Sequence, residues 1–342
     1  MAELSSILFH FGVRRAVRVL WLTLLMLAGL LGAGVVWLNA DLSMASERAD
    51  LGIEPGTSVR DVAQSVADAG VQVNPAWLYW WFRLSGDDRK IKAGNYELER
   101  PVTPRSLLKT LVRGEEAWRA VTLVEGWNFR QVLTTLSKTE HLTPTLQGLE
   151  HDLIMKKLGR PGLLPEGRFF PDTYTYAKGS TDLAVLQRAM RVMDKKLAAA
   201  WLVRASDTPL STPDQALTLA SIIEKETGRA GDRGMIAGVF SNRLRVGMML
   251  QTDPTVIYGL GEAFDGNLRK RDLRRDTPWN TYTRAGLPAT PIAMPGNAAL
   301  LAAVQPASTN ALYFVARGDG TSQFSDTLDE HNRAVNKYQR GQ

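Results

Sequence analysis

The chain has 342 residues, 44% of them apolar and 22% charged, which excludes a largely disordered or low-complexity polymer and leaves room for about two globular domains plus one membrane or linker element. It has no cysteine, so disulfides, thiolate nucleophiles, iron–sulfur clusters and cysteine-based zinc sites fall away together. The net charge of +6 is spread without a basic stripe or interleaved aromatics, so no nucleic-acid partner is expected.

Four histidines, His10, His141, His151 and His331, have no metal-ligand spacing. Neither a metal nor a cofactor is therefore expected, and any catalysis is expected to rest on carboxylates.

Val19–Leu38 runs twenty residues without a charge, a rise of about 30 Å as a helix, which is the thickness of a hydrocarbon core. Trp21 and Trp37 fall near its two ends, and Arg14, Arg15 and Arg18 precede it. A cytoplasmic tail (1–18), a transmembrane helix (19–38) and an exported remainder are expected. A cleaved signal peptide would have a shorter apolar region and an Ala-x-Ala site, which NADLSMASERAD does not offer.

A polar linker is expected over 39–50, then a short strand from Leu51 and a helix carrying Val59, Val62, Ala63, Val66 and Ala67 up to Gly70. Asn74 and Pro75 open a helix through Leu84 whose Trp77, Tyr79, Trp80, Trp81 and Phe82 fit either core packing or a sugar-stacking face. A strand at Ala93–Leu98 and a helix from Thr103-Pro104 to Gly114 complete a small α/β unit over 51–118.

The larger unit, 119–342, opens with a strand at Ala120–Val124. Helices are expected at Phe129–Ser137, Thr181–Val203, Pro213–Thr227 and Asp232–Arg245, followed by a hairpin near Tyr313–Phe324 and a last helix at Leu328–Gln339. The fold class is thus α+β.

Within STPDQALTLASIIEKETG, the residues Thr212, Pro213 and Gln215 mark a helix start and Gly228 a stop. At 100° per residue Ala216, Leu217, Leu219, Ala220, Ile222 and Ile223 share one broad apolar face, with Glu224 and Glu226 at its two borders. A carboxyl at such a border is partly desolvated, which favours the protonated form a general acid needs. Glu226 also lies in the last turn, where the helix dipole acts in the same direction. Boundary residues paired with Arg229, Arg233 or Arg243 would satisfy the same pattern. Downstream, LQTDPTVIYG and WNTYTRAGLPATPIAMPGN bring amide, hydroxyl and aromatic residues on loops, a composition suited to a polar sugar polymer.

Taken together, GIEPGTSVRDVAQSVADAGV, KAGNYEL, LVEGWNF, PEGRFFPDTYTY, LASIIEKETG, FSNRLRVGMMLQTDPTVIYGLG, NTYTRAGLP and FSDTLDEHNRAV resemble the MltG/YceG family of endolytic murein transglycosylases of bacterial inner membranes. Ala289 and Thr290 depart from the family's usual Pro-Gly or Pro-Pro. The resemblance implies a single-pass inner-membrane protein with a periplasmic catalytic domain and a LysM-like subdomain around Leu51–Trp118. It implies endolytic cleavage of the bond between N-acetylmuramic acid and N-acetylglucosamine with formation of 1,6-anhydro ends, and termination of nascent strand elongation.

By the same resemblance Glu226, followed by Thr227, is the catalytic acid. Glu224 is a supporting carboxylate, Gln251, Asp253, Tyr258, Asn280 and Tyr282 are substrate-holding residues, and Glu166 is a groove residue. Peptidoglycan strands are the expected partner, with peptidoglycan synthases and division proteins as candidates. A muramidase-type hydrolase and a non-catalytic wall-binding protein are the competing classes.

Overall fold

The computed structural model describes the backbone of residues 2–115, 118–226 and 229–341, with side chains from Leu20 onward in those ranges. The side chains of Arg14, Arg15 and Arg18, and both Thr227 and Gly228, lie outside the described residues. The protein is mixed α/β and divides into two compact units, 1–118 and 119–342.

The first unit begins with α1 (Ala2–Asn39), of which Leu20–Asn39 is long and apolar enough to cross a membrane, with a mean hydropathy of 2.0. The stretch 39–50, expected to be a linker, instead enters the fold. It holds β1 (Ser43–Met44) and the start of β2 (Arg48–Ile53), because burial alternates from Ala49 through Leu51 to Ile53. The helix α2 (Val59–Asp68) is capped by Ser58 and buries Val62, Ala63 and Val66. Next come β3 (Val71–Gln72), antiparallel to β1, and α3 (Pro75–Ser85), opened by the Asn74 side chain and ended by Gly86 at φ 75°.

The strand β4 (Gly94–Glu99) then pairs antiparallel with β2, Arg48 opposite Glu99 and Ile53 opposite Gly94. A Thr103–Ser106 capping box opens α4 (Pro104–Arg113). Leu51, Val66, Leu78, Phe82, Tyr96 and Leu111 form the centre of this unit's core. The aromatic helix α3 therefore splits by face: Leu78 and Phe82 are core, whereas Trp77 and Trp80 are exposed.

The second unit starts from β5 (Trp118–Thr122), which pairs with β6 (Thr173–Ala177). Between them lie α5 (Phe129–Lys138), with an Asn128–Gln131 capping box, and α6 (His151–Lys157). There follow α7 (Asp182–Leu202), α8 (Pro213–Glu226), α9 (Arg233–Arg245), α10 (Asp253–Leu260), α11 (Lys270–Arg274) and α12 (Asn297–Val304). The antiparallel hairpin of β7 (Tyr313–Ala316) and β8 (Ser322–Ser325) leads to α13 (Leu328–Val335), which continues into a π-helical turn over Asn336–Arg340.

Two cores lie side by side in this unit, joined through the partly buried Val192 of α7, which packs on both. One surrounds α8, with Leu217, Ile222, Phe240, Leu250 and Leu300, and the other joins α5, α7 and β6 through Phe129, Val132, Phe169, Tyr176 and Leu186. Sequence patterning missed α12 because NAALLAAV is apolar on every side and so has no amphipathic period. It missed α10 because Asp253-Pro254, a turn signal, serves here as the first helical turn.

Candidate active site

The helix α8 is the scaffold of the site. Its start is held by the Thr212 hydroxyl, which accepts from the Gln215 amide, and by the Gln215 side chain, which accepts from Ser211 N at 2.6 Å. Ala216, Leu217, Leu219, Ala220, Ile222 and Ile223 are all fully buried, so the helix is fixed by the core along its whole length. Inside that core Ser221 Oγ accepts from Ile292 N at 3.0 Å, tying α8 to the loop before α12.

Glu226 is the last residue of α8 and is largely buried. The Thr252 hydroxyl donates to its Oε1. Burial pushes the Glu226 carboxyl above the usual carboxylate range, the Thr252 donor opposes this, and nearby Asp253 adds to it. Thr252 is itself placed by a buried hydroxyl cluster: its N–H donates to Thr281 Oγ1 at 3.1 Å, and Thr255 and Thr281 share a hydrogen bond at 2.9 Å. Gln251, at a left-handed φ of 48°, donates its N–H to Thr281 O. Tyr282 donates to Asp253 Oδ1 at 2.6 Å.

These residues open onto a groove of about 590 Å³ lined by Glu226, Gln251, Asp253, Tyr282, Tyr313 and His331. His331 stacks on Tyr313 with ring centroids 5.2 Å apart, and its buried Nδ1 has no hydrogen-bond partner. Burial pushes its pKa down, with Arg243 acting the same way, so the imidazole stays neutral near pH 7. The groove thus presents the Glu226 carboxyl, the amides of Gln251 and Gln339, the Arg243 guanidinium, a phenol held on a carboxylate, and an aromatic pair.

The other expected residues lie elsewhere. Glu224 accepts from Gly296 N at 2.9 Å, at the cap of α12, and does not line the groove; burial raises its pKa, while Gly296 N–H pulls it down. Asn280 is fully buried, and its amide is spent on the carbonyls of Leu273 and Arg275 and on the N–H of Tyr282, so it is a loop brace rather than a ligand-facing group. Tyr258 donates to Glu166 Oε2 at 2.9 Å, and both belong to a second cavity of about 750 Å³ with Arg130, Lys225 and Trp279.

Glu166 also accepts from Phe129 N at 3.0 Å, and burial pushes its carboxyl up to about 7 despite these donors. Arg243, offered by the sequence as an ion-pair partner for the glutamates, instead donates to the carbonyls of Leu312, Met249 and Leu250. Thr290, at the departure from the resembled family, accepts from Trp279 Nε1 at 2.8 Å.

Sequence reasoning did not single out Thr252, Thr281, Tyr313 or His331 as site residues. Only the quoted segments LQTDPT, NTYTRAGLP and FSDTLDEHNRAV could have pointed to Thr252, Thr281 and His331. Among the described residues no group of three or more His, Asp or Glu is placed to hold a metal ion.

The helix α8 thus ends on a largely buried acid at the edge of a polar and aromatic groove, the arrangement that acid–base chemistry on a polar ligand requires. The chain belongs to the YceG-like family, whose model matches residues 51–337. It is similar to proteins named endolytic murein transglycosylase. The one from Bacillus subtilis is 30% identical over 309 residues, 84% of either chain. That from Streptococcus pneumoniae strain D39 is 27% identical over 83% of this chain, which spans only 57% of that relative's length. The 2.6 Å crystal structure of a yceG-like protein from Listeria monocytogenes matches with a TM-score of 0.51 at 30% identity, covering 84% of this chain and 98% of that one.

Proposed function

We propose that the chain is an endolytic murein transglycosylase that cleaves the bond between N-acetylmuramic acid and N-acetylglucosamine within peptidoglycan strands and leaves 1,6-anhydro-muramic ends. The observation that carries the chemical reading is Glu226, whose raised pKa keeps it protonated further toward neutral pH than an exposed glutamate, at the wall of an open groove.

In the first step Glu226 gives its proton to the glycosidic oxygen, which leaves as the 4-hydroxyl of N-acetylglucosamine while the C1–O bond of muramic acid breaks. The resulting carboxylate then takes the proton of the muramic 6-hydroxyl, whose oxygen bonds to C1. The acid is regenerated and no water is consumed. The Thr252 hydroxyl stabilises the carboxylate between the two steps, and Gln251 and the Asp253–Tyr282 pair hold the sugar polar groups.

Leu20–Asn39 anchors the chain in the inner membrane, with Arg14, Arg15 and Arg18 retained in the cytoplasm and the second unit in the periplasm. The first unit is LysM-like, a reading supported by two helices, α2 and α3, enclosed between the antiparallel strands β2 and β4, with the short β3 between the helices. Synthases and division proteins are the partners such an enzyme would meet at growing strands.

The test is mass spectrometry of sugar ends after residues 41–342 act on purified peptidoglycan, with Glu226→Gln in parallel. Anhydro-muramic ends that disappear in the variant are expected. Reducing ends would assign a hydrolase, and cleavage surviving in Glu226→Gln would remove Glu226 from the chemistry.

A further inference from the structure

The helix α3 is apolar on both sides, and only one side is filled by the core of the first unit. Among its eleven residues Arg83 is the sole charge, and its guanidinium is held by Asp88 at 2.7 Å. Leu78 and Phe82 fill the core of the first unit. On the other side Trp77, Trp80 and Leu84, spaced i, i+3 and i+7, form one stripe that is 60, 59 and 80% exposed. A helix apolar all round requires a second apolar environment.

The neighbour of that stripe is the carboxyl-terminal half of α1. Trp37 packs on the core of the first unit, and its ring meets Trp77 edge-on at 5.9 Å and 83°. An apolar groove of about 550 Å³ runs between the two helices, with Leu30, Leu31 and Trp37 on one side and Trp77, Trp80 and Leu84 on the other. Leu30 lies nine residues before Asn39, so this groove reaches roughly 13 Å down the axis of α1 from its end. If α1 spans the bilayer, Trp77, Trp80 and Leu84 occupy the depth of the headgroup and upper acyl layers, where tryptophan rings are favoured. A glycan would need hydrogen-bonding groups between its stacking rings, and the residues named along this groove are apolar.

We infer that the outer face of α3 is a second membrane contact, in which Trp77, Trp80 and Leu84 insert into the bilayer beside α1 and hold the first unit down on the lipid surface. The occupant is the lipid itself, and the inference rests on the reading of α1 as a membrane span. The contact gives the first unit a second hold on the membrane beside α1 and so fixes its orientation against the lipid surface.

The absence of native cysteine makes the test direct. Single cysteines at Leu30, Trp80, Leu84 and Glu54, each carrying an environment-sensitive nitrobenzoxadiazole label, are placed in the full chain and reconstituted in phosphatidylethanolamine–phosphatidylglycerol vesicles. Quenching by brominated acyl chains is then compared with quenching by aqueous iodide.

Labels at Trp80→Cys and Leu84→Cys are expected to emit to the blue and lose intensity to brominated lipid, as Leu30→Cys does, while Glu54→Cys responds to iodide. If Leu30→Cys is lipid-quenched but the two α3 labels respond to iodide, the inference fails and the span stands. If Leu30→Cys does not respond to lipid, the span reading fails and takes the inference with it. Shielding of the α3 labels from both quenchers would assign the face to a second copy of the chain and overturn the lipid assignment.

Discussion

Glu166 offers a quantitative test of the second unit. The residue is 6% exposed, and burial pushes its carboxyl up to about 7 in the folded chain against an ordinary 4.5. The folded state therefore binds a proton that the unfolded state has already released between those two values. Below about 4.5 both states are protonated and the group is neutral toward stability. As pH rises through 7 the folded state must take up a buried charge, and its stability falls by roughly 3 kcal/mol relative to the acid side.

Glu166→Gln keeps the shape and an acceptor for Phe129 N but cannot ionise, so its stability should lack this slope. The assay is urea unfolding of residues 41–342 at closely spaced pH values, followed by near-ultraviolet circular dichroism, with wild type and variant in parallel. The difference between the two proteins should change by roughly 3 kcal/mol between about pH 5 and 8, the wild type losing ground as pH rises. Parallel curves over that range would refute the assignment of a buried, protonatable carboxyl at this position.

Thr252→Val removes the donor to Glu226; a hydrogen bond to a charged group is worth about 1.5–3 kcal/mol, so the carboxylate is disfavoured and the alkaline limb of the pH–rate profile should move upward, while Thr252→Ser should restore it. A uniform rate loss with an unmoved profile would argue against this contact. Glu226→Gln should lower the turnover of peptidoglycan by about 10²–10⁴-fold with an unchanged melting temperature, as read by release of soluble fragments and by calorimetry. Glu224→Gln should do the reverse, lowering the melting temperature through its bond to Gly296 while leaving turnover within a few-fold of wild type. Ile222→Ala, deep in the core on α8, should cost about 2–5 kcal/mol in denaturant unfolding.

The parts of this fold that were readable from sequence are those in which a local rule and the tertiary environment agree. Asn74 and Thr103 cap the helices that follow them, as their places in the sequence predict, because a short side-chain acceptor satisfies free amides wherever the helix ends up. The apolar face of α8 was equally legible, since helical period alone decides which residues share it. Loop residues obey no such rule. Asp253 and Tyr282 reach the groove of Glu226, whereas Asn280, only two residues before Tyr282, turns inward to brace carbonyls. The spacing of residues along a loop says nothing about which way each points. The groove's far wall, Tyr313 and His331, comes from a hairpin and a helix 87 and 105 residues along the chain from Glu226, a distance over which a single sequence has no period to read.

Burial raises three carboxyls in the second unit, Glu166, Glu224 and Glu226, so a perturbed acidity cannot by itself identify the reacting group. Their partners separate them. Glu166 is surrounded by donors from Phe129, Gly167 and Tyr258, and Glu224 is engaged by the backbone at the cap of α12. A carboxyl held in this way is engaged in structure, since turning toward a ligand would break those bonds.

Glu226 has the Thr252 hydroxyl on one oxygen and the groove beside it. Thr252 can favour the carboxylate after the first proton transfer without occupying the whole group. A lone acid that must give and then retake one proton needs that combination: enough burial to start protonated, one donor to tolerate the charge, and an oxygen left free to meet the substrate. Of the three, only Glu226 lines the groove of Gln251, Asp253 and Tyr282.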